Sequence, residues 1–338
     1  MSDIYDIVVT PRMLEYKMVT LSGGVSVRYL QTITLPGTGN RQVETFNWSY
    51  TISNRTPGSK IFASIRKGGG YNVSEGRFPV YRVNMIRKVE ISGNTLNVQV
   101  YSDCWDGDGI DNSGIIDIYE VLGQETQQVA DYGLYIADSV DWTMFLTNSE
   151  ICALAYFGRV SLTSSGWVVP DSIKNKKFII FGDWSSSSAV IQYDNDSKKI
   201  IMIGSSSPVE IELYIFAIAP ELTVPDYGIV MYNDSGVMTF SSENVPICYP
   251  NSSLSLNGTF KSLPFNNNLV QITDFGYTTR TTNNRFWVYQ VGIIKSGNTA
   301  KLSAGRELDN FGIKILAGDY IYPQINILAI DKKIYSNV

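Results

Sequence analysis

The sequence predicts an all-β protein built from tandem antiparallel β-sandwich domains, and three observations carry that expectation. Short runs rich in Val, Ile, Tyr and Thr, separated by clusters of Gly, Asn, Asp and Ser, recur along the whole chain. Amphipathic helical periodicity does not hold for more than about two turns anywhere. A block of sequence returns at a fixed offset, the mark of repeated units. With 338 residues the chain exceeds one ordinary sandwich and suits two or three domains of roughly 100 residues each. Its composition is 44% hydrophobic and 17% charged, enough apolar surface for a packed core, and its 21 Tyr favour strands over helices.

In chain order, the first strong hairpin joins Val89-Glu90-Ile91 to Leu96-Asn97-Val98 through Ser92-Gly93-Asn94. The apolar run Ile115-Ile116-Asp117-Ile118-Tyr119-Glu120-Val121-Leu122 then closes an N-terminal unit, residues 1–128, with Gly123 to Ala130 as linker. Asp131-Tyr132-Gly133-Leu134-Tyr135-Ile136 opens a second unit, residues 129–222. It returns 95 residues later as Asp226-Tyr227-Gly228-Ile229-Val230-Met231, opening a third unit, residues 223–338. In both copies a small polar turn follows, and a Phe stands thirteen residues after the Tyr (Phe145, Phe240). An Ile-Cys pair comes next in each (Ile151-Cys152, Ile247-Cys248). Further hairpins are expected at Asp194-Asn195-Asp196 and Ser296-Gly297-Asn298. Each unit ends on an apolar strand, Ile211 to Ile218 and Ile325 to Ile330, and the stretch from Leu213 to Ala219 reads as fully buried. The N-terminal unit has the same shape and is read as a diverged third copy. Three sandwiches in a row suit a rod-like or bent arrangement.

Composition also removes function classes. The chain has no His, which takes away the commonest general base, the commonest zinc ligand and every imidazole triad. No catalytic residue is assigned. A net charge of −5, with no Lys or Arg run longer than a doublet, argues against nucleic acid as a partner. No apolar run approaches the roughly 18 residues that span a bilayer, so no membrane insertion is expected. Met1-Ser2-Asp3-Ile4 lacks a basic segment ahead of an apolar stretch, so synthesis in a cytoplasm without Sec-type export is expected. Cys104, Cys152 and Cys248 are odd in number and read as small buried hydrophobes, not as a disulfide framework.

The phrase Tyr227-Gly228-Ile229-Val230-Met231-Tyr232-Asn233-Asp234-Ser235-Gly236-Val237-Met238-Thr239-Phe240-Ser241-Ser242 resembles a module of tail-tip and tail-fibre-region proteins of long-tailed bacteriophages. There, Tyr-Gly, a strand, an Asn/Asp-x-Gly turn and a strand ending in Phe-Ser-Ser open a β-sandwich. The first copy departs from the pattern, with Val140-Asp141 in place of the turn Gly and Leu146-Thr147 in place of the double Ser. The resemblance implies a structural, non-catalytic virion component of the tail, made in the host cytoplasm and acting in assembly or host-surface recognition. Its implied partners are other tail proteins, further copies of itself, and a host-surface glycan or outer-membrane receptor. A head decoration or capsid fibre protein shares the same sequence features.

The strongest local constellation is Asp103-Cys104-Trp105-Asp106-Gly107-Asp108-Gly109-Ile110-Asp111. Alternating Asp with Gly lets Asp103, Asp106, Asp108 and Asp111 fold around one Ca²⁺, which takes about six to eight oxygens. The competing reading is a solvated acidic turn, because Ile110 stands where an EF-hand loop needs an oxygen. No other cofactor is indicated. Paired Asp/Glu acting on polysaccharide is the one enzymatic route that needs no His, but the sequence localises no pair. Trp167, Trp184 and Phe286-Trp287 flank polar loops and could stack on sugars, with core packing as the ordinary alternative. Gly68-Gly69-Gly70 lacks the flanking residues of a phosphate loop and reads as a mobile loop.

Overall fold

The computed structural model of the chain describes residues 26–38, 44–74, 80–105, 110–122, 133–136, 143–146, 152–203, 205, 207–218, 221–226, 230–232, 235–241, 243–247, 253–282, 285–312 and 322–335. The fold is all-β and antiparallel. The first unit holds β1 (Ser26–Thr38), β2 (Glu44–Thr51), β3 (Lys60–Lys67), β4 (Gly69–Ser74), β5 (Val80–Ser92), β6 (Thr95–Trp105) and β7 (Ile110–Leu122). The second opens with the hairpin β8 (Gly133–Ile136) and β9 (Thr143–Leu146). It continues through β10 (Cys152–Leu162), β11 (Trp167–Val168), the one-turn helix α1 (Asp171–Lys174), β12 (Phe178–Trp184), β13 (Val190–Asp194), β14 (Lys199–Ile203) and β15 (Val209–Ile218). The third repeats this with the hairpin β16 (Val230–Tyr232) and β17 (Met238–Ser241), then β18 (Ser253–Leu256), β19 (Lys261–Ser262) and β20 (Asn268–Ile272). It ends with β21 (Tyr277–Thr282), β22 (Arg285–Ser296), β23 (Thr299–Gly312), β24 (Ile325–Asp331) and the 3-10 turn Lys332–Tyr335.

All three units share one topology. The first, last and third strands of each make one layer, in the orders β1-β7-β3, β10-β15-β12 and β18-β24-β20. The second layer reads β2-β6-β5, β11-β14-β13 and β19-β23-β22, with β4 added to β5 and β21 added to β22. Local chemistry repeats too. Ser92 pairs with Thr95 across Gly93-Asn94, and Ser296 pairs with Thr299 across Gly297-Asn298. Gly93 (φ 57°) and Gly297 (φ 55°) take the first central position of these two-residue turns, where the right-handed strand twist demands a positive φ.

The second and third units are not separate sandwiches, which corrects the expected row of three. β12 pairs with β20 about Phe181 and Gln271, and Ile191 of β13 pairs with Ile293 of β22. The layers therefore run β10-β15-β12-β20-β24-β18 and β11-β14-β13-β22-β23-β19. Each order reads the same from either end when the two units are exchanged, so a pseudo-two-fold axis relates them. The physical reason is the edge. Phe178-Ile179-Ile180-Phe181-Gly182 of β12 and Leu269-Val270 of β20 carry no charge, and such an edge left open invites pairing.

The central strands of the six-stranded layer are buried on both faces. Ile180, Leu213, Ile215, Val270 and Ile327 share a core with Ile191, Ile200, Val291 and Leu302 of the opposite layer. On the other face, Phe181, Tyr214, Phe216, Leu269 and Ile330 meet Val27, Phe62, Tyr119 and Val121 of the first unit. A strand covered on both sides has no polar face, which is why Leu213 to Ile218 is an uninterrupted apolar run. Burying a side chain of this size contributes about 1.5–3 kcal/mol.

The first unit thus folds back over the double sandwich and is not one segment of a rod. Gln271 Nε2 donates to Ser64 Oγ at 2.8 Å, Gln324 N–H to Arg87 O at 2.7 Å, and the Thr273 hydroxyl to Ile65 O. Lys67 pairs with Asp196 at 2.9 Å. Gly68, Gly69 and Gly70 are buried, and Gly69 and Gly70 begin β4, so the glycines form a docking corner and not a mobile loop. Gly68 lies backbone to backbone against Gly276 (φ 78°), leaving no room for a Cβ on either.

The two kinds of glycine make a comparison. Gly297→Ala, whose Cβ meets nothing within 4 Å, should cost roughly 1–2 kcal/mol from the positive φ alone. Gly276→Ala should cost clearly more, because strain is joined by collision with Gly68. Urea unfolding midpoints of the two variants check this, and equal midpoints would contradict the docking geometry.

Candidate functional site

A cleft of about 440 Å³ opens where the second and third units meet at one rim of the six-stranded layer. Arg159 reaches it from β10, Asp183 and Trp184 from the end of β12, and Glu210 and Glu212 from β15. Lys295 comes from β22 and Lys332 from the turn after β24. Asp183 and Glu212 are direct cross-strand partners, as are Arg159 and Glu212. Two carboxylates opposite one another repel unless cations intervene. Lys332 supplies the bridge, 2.7 Å from Asp183 Oδ2 and also paired with Glu212. Lys295 pairs with the other Asp183 oxygen, and Arg159 Nε donates to Glu212 Oε1 at 2.7 Å. The result is an unbroken chain of alternating charge, Lys295, Asp183, Lys332, Glu212, Arg159.

This arrangement decides the protonation states. Burial alone would raise Asp183, but the hydrogen bonds and charges of Lys295 and Lys332 outweigh it and hold the carboxyl below its ordinary range. Burial is opposed in the same way at Glu212 by Lys332 and Arg159, and its carboxyl is also lowered. Lys332, which burial would lower, is raised by the two carboxylates. A glycosidase pair needs one carboxyl kept protonated. Neither of these is.

A second acidic group sits at the docking corner. Asp274 Oδ1 accepts from Gly276 N–H at 2.9 Å, and the carboxyl also accepts from Gly68 N–H. Burial pushes this carboxyl up to about 7, with Asp194 and Asp196 adding to the rise against the two backbone donors. It is a latch between units, clamped by amides, and it lines none of the clefts described.

The residues singled out in the sequence are placed unevenly. Asp106 and Asp108 lie outside the described residues, as do the side chains of Asp103 in β6 and Asp111 in β7, so the calcium loop falls outside what the structure describes. Among the described residues no group of three His, Cys, Asp or Glu is placed to hold a metal ion. Cys152 is fully buried and burial pushes its thiol up, as expected of a small core residue. Cys248 and the side chain of Cys104 are outside the described residues. Trp184 and Phe286 are buried, Trp167 packs on Tyr156 at 5.0 Å, and Trp287 lies parallel to Tyr289 at 6.5 Å. Sequence reasoning missed the ionic chain. Its signal was a single charge in an apolar strand, Asp183 after Phe178-Ile179-Ile180-Phe181-Gly182 and Lys295 after Ile293-Ile294.

Two predictions follow from the charges. Asp183→Asn leaves Lys295, 9% exposed, without its carboxylate and should destabilise the chain by roughly 3 kcal/mol in urea unfolding. For Asp274, raised from 3.8 to about 7, the folded chain binds more protons than the unfolded chain between those values. Its contribution to stability therefore falls as pH rises through that window. Asp183 and Glu212 act oppositely, their stabilisation being present at neutral pH and lost as pH drops below the ordinary carboxylate range. Asp274→Asn should remove the loss towards pH 7 while leaving the acid-side loss in place, read from thermal midpoints across pH 3–8, a range spanning roughly both windows.

Neither a curated protein nor a solved structure matches the chain. The model of a family of unknown function, DUF6453, matches residues 12–312, a span that runs from the first unit to the end of β23 in the third, and the protein belongs to that family.

Proposed function

We propose that this chain is a structural component of a tailed-bacteriophage virion, placed at the tail tip or fibre region, that works in assembly and host-surface recognition without catalysis. The observation that carries the reading is the twice-used Tyr-Gly hairpin, each copy set ahead of the same sandwich. In the second copy Val230 pairs with Ser241 and Met231 with Phe240. In the first, Leu134 pairs with Phe145 and Ile136 with Thr143. The two registers differ by two residues. The module is therefore tolerant in its turn and constant in its pattern, as suits a repeated building block.

The cleft chemistry supports the non-catalytic part of the reading. Its two facing carboxylates are both held ionised, and its walls are tied to one another by ion pairs. Partners for such a protein are other tail proteins, further copies of this chain, and a glycan or protein receptor on the host surface.

Purified phage particles give the test. Mass spectrometry should find the chain in the virion, and cryo-electron microscopy should place it at the tail tip or fibre as a symmetric multimer. Placement on the head would favour a decoration role. Absence from particles, or release of reducing sugar from host surface polysaccharide by the purified chain, would overturn the proposal.

A further inference from the structure

β10 ends one side of the six-stranded layer, and only its first residues are paired on the outer side. Leu154 N–H donates to Val245 O at 2.8 Å, and Ile247 N–H to Cys152 O at 3.1 Å. After the register shift between Leu154 and Tyr156, no described strand pairs with the outer edge of residues 156–162. Past the register shift this segment carries one charge, Arg159, and no Pro, so its outer edge is only lightly blunted. Phe157, Arg159 and Ser161 are exposed on one face, opposite Tyr214, Glu212 and Glu210 of β15. Phe157 is 42% exposed while its ring lies tilted against Tyr214 at 4.7 Å.

The pseudo-two-fold shows what the counterpart of this face does. In the third unit the equivalent strands are β18 and β24, and their outward Ser253, Asn326 and Leu328 lie across a narrow cleft from Phe62 and Val89 of the first unit. One end of the layer is thus covered by a sandwich, and among the described residues no strand covers the rim at the other. At its centre the same layer is already joined by equivalent strands of two units, β12 and β20, running antiparallel about a local two-fold.

The geometry points to a second copy of this chain as the occupant of that rim. Two copies pair antiparallel through residues 156–160 about a two-fold axis at Gly158, extending the layer across the dimer. In this register Phe157 faces Arg159 of the second copy, twice over. The Arg159 side chain is 76% exposed while paired with Glu212, so the ring can lie over the open face of its guanidinium. An axis at Arg159 would instead set two guanidiniums opposite each other, which is unfavourable. An axis at Gly158 also leaves the closest approach to a residue with no side chain. The face presents both signs, Arg159 beside Glu210 and Glu212, so opposite charges can meet across an isologous contact. The inference does not rest on a virion location.

The mass of the full chain in solution, by light scattering across micromolar concentrations, is the first readout. A dimer of the 37.6 kDa chain is expected, and the charge-reversed double variant Phe157→Asp with Arg159→Asp should weaken it at least tenfold. The second readout is independent of that variant's folding. Phe157→Cys and Arg159→Cys copies, mixed and oxidised, should cross-link to each other well above the parent chain, while each alone should not. A monomeric parent chain, a dimer that the double variant leaves intact, or cross-links within each single variant but not between them would overturn the proposal.

Discussion

The pairing of β12 with β20 is the contact on which the rest of the molecule depends. It joins two equivalent units about Phe181 and Gln271 and turns two half-layers into one six-stranded sheet. Gly182 sits at this seam, where a Cβ would run into the side chains of Ile272 and Ile211, so close packing of the sheet faces is built into the join. Once the sheet is continuous it has two broad apolar faces. One is covered by the second layer and the other by the first unit. The placement of the first unit, the docking corner at Gly68 and the ionic cleft at the rim all follow from that surface.

The duplicated scaffold keeps its geometry and changes its chemistry. Where Arg159 faces Glu212 in the second unit, Ser255 faces Asn326 at the matching place in the third. Asp183 stands two residues beyond Phe181, and Thr273 two residues beyond its counterpart Gln271. The charged half closes on itself through Lys295 and Lys332. The neutral half instead receives the first unit, with Thr273 donating to Ile65 O and Gln271 bonding Ser64. Neutral hydrogen-bonding groups suit a face buried under another unit, since buried unpaired charge is costly. For the proposed assembly role, this divergence yields one continuous double sandwich with unlike rims.

Much of the fold was legible along the chain. The turn Ser-Gly-Asn-Thr at residues 92–95 and 296–299, the Tyr-Gly hairpins at an offset of 95 residues, and the apolar closing strands all rest on interactions within a few residues. The burial of Cys152 followed from composition and position. The candidate site was far less legible. Lys295 and Asp183 are 112 residues apart in sequence and Lys332 lies 149 from Asp183, so no local pattern announces them. Trp184, for which core packing was the ordinary reading beside sugar stacking, is taken up by the core.

By itself, then, the sequence determined the class of fold, the repeat and the strand pattern, because alternation, turn chemistry and β-propensity act between near neighbours. It also removed imidazole chemistry outright, since a chain without His has none to arrange. Only the tertiary structure decided which edges meet, that two of the repeats share both layers, and that the third packs on their outer face. Those outcomes depend on pairing between strands far apart in the chain. An apolar edge such as that of β12 specifies that it must be covered, and the rest of the folded molecule specifies by what.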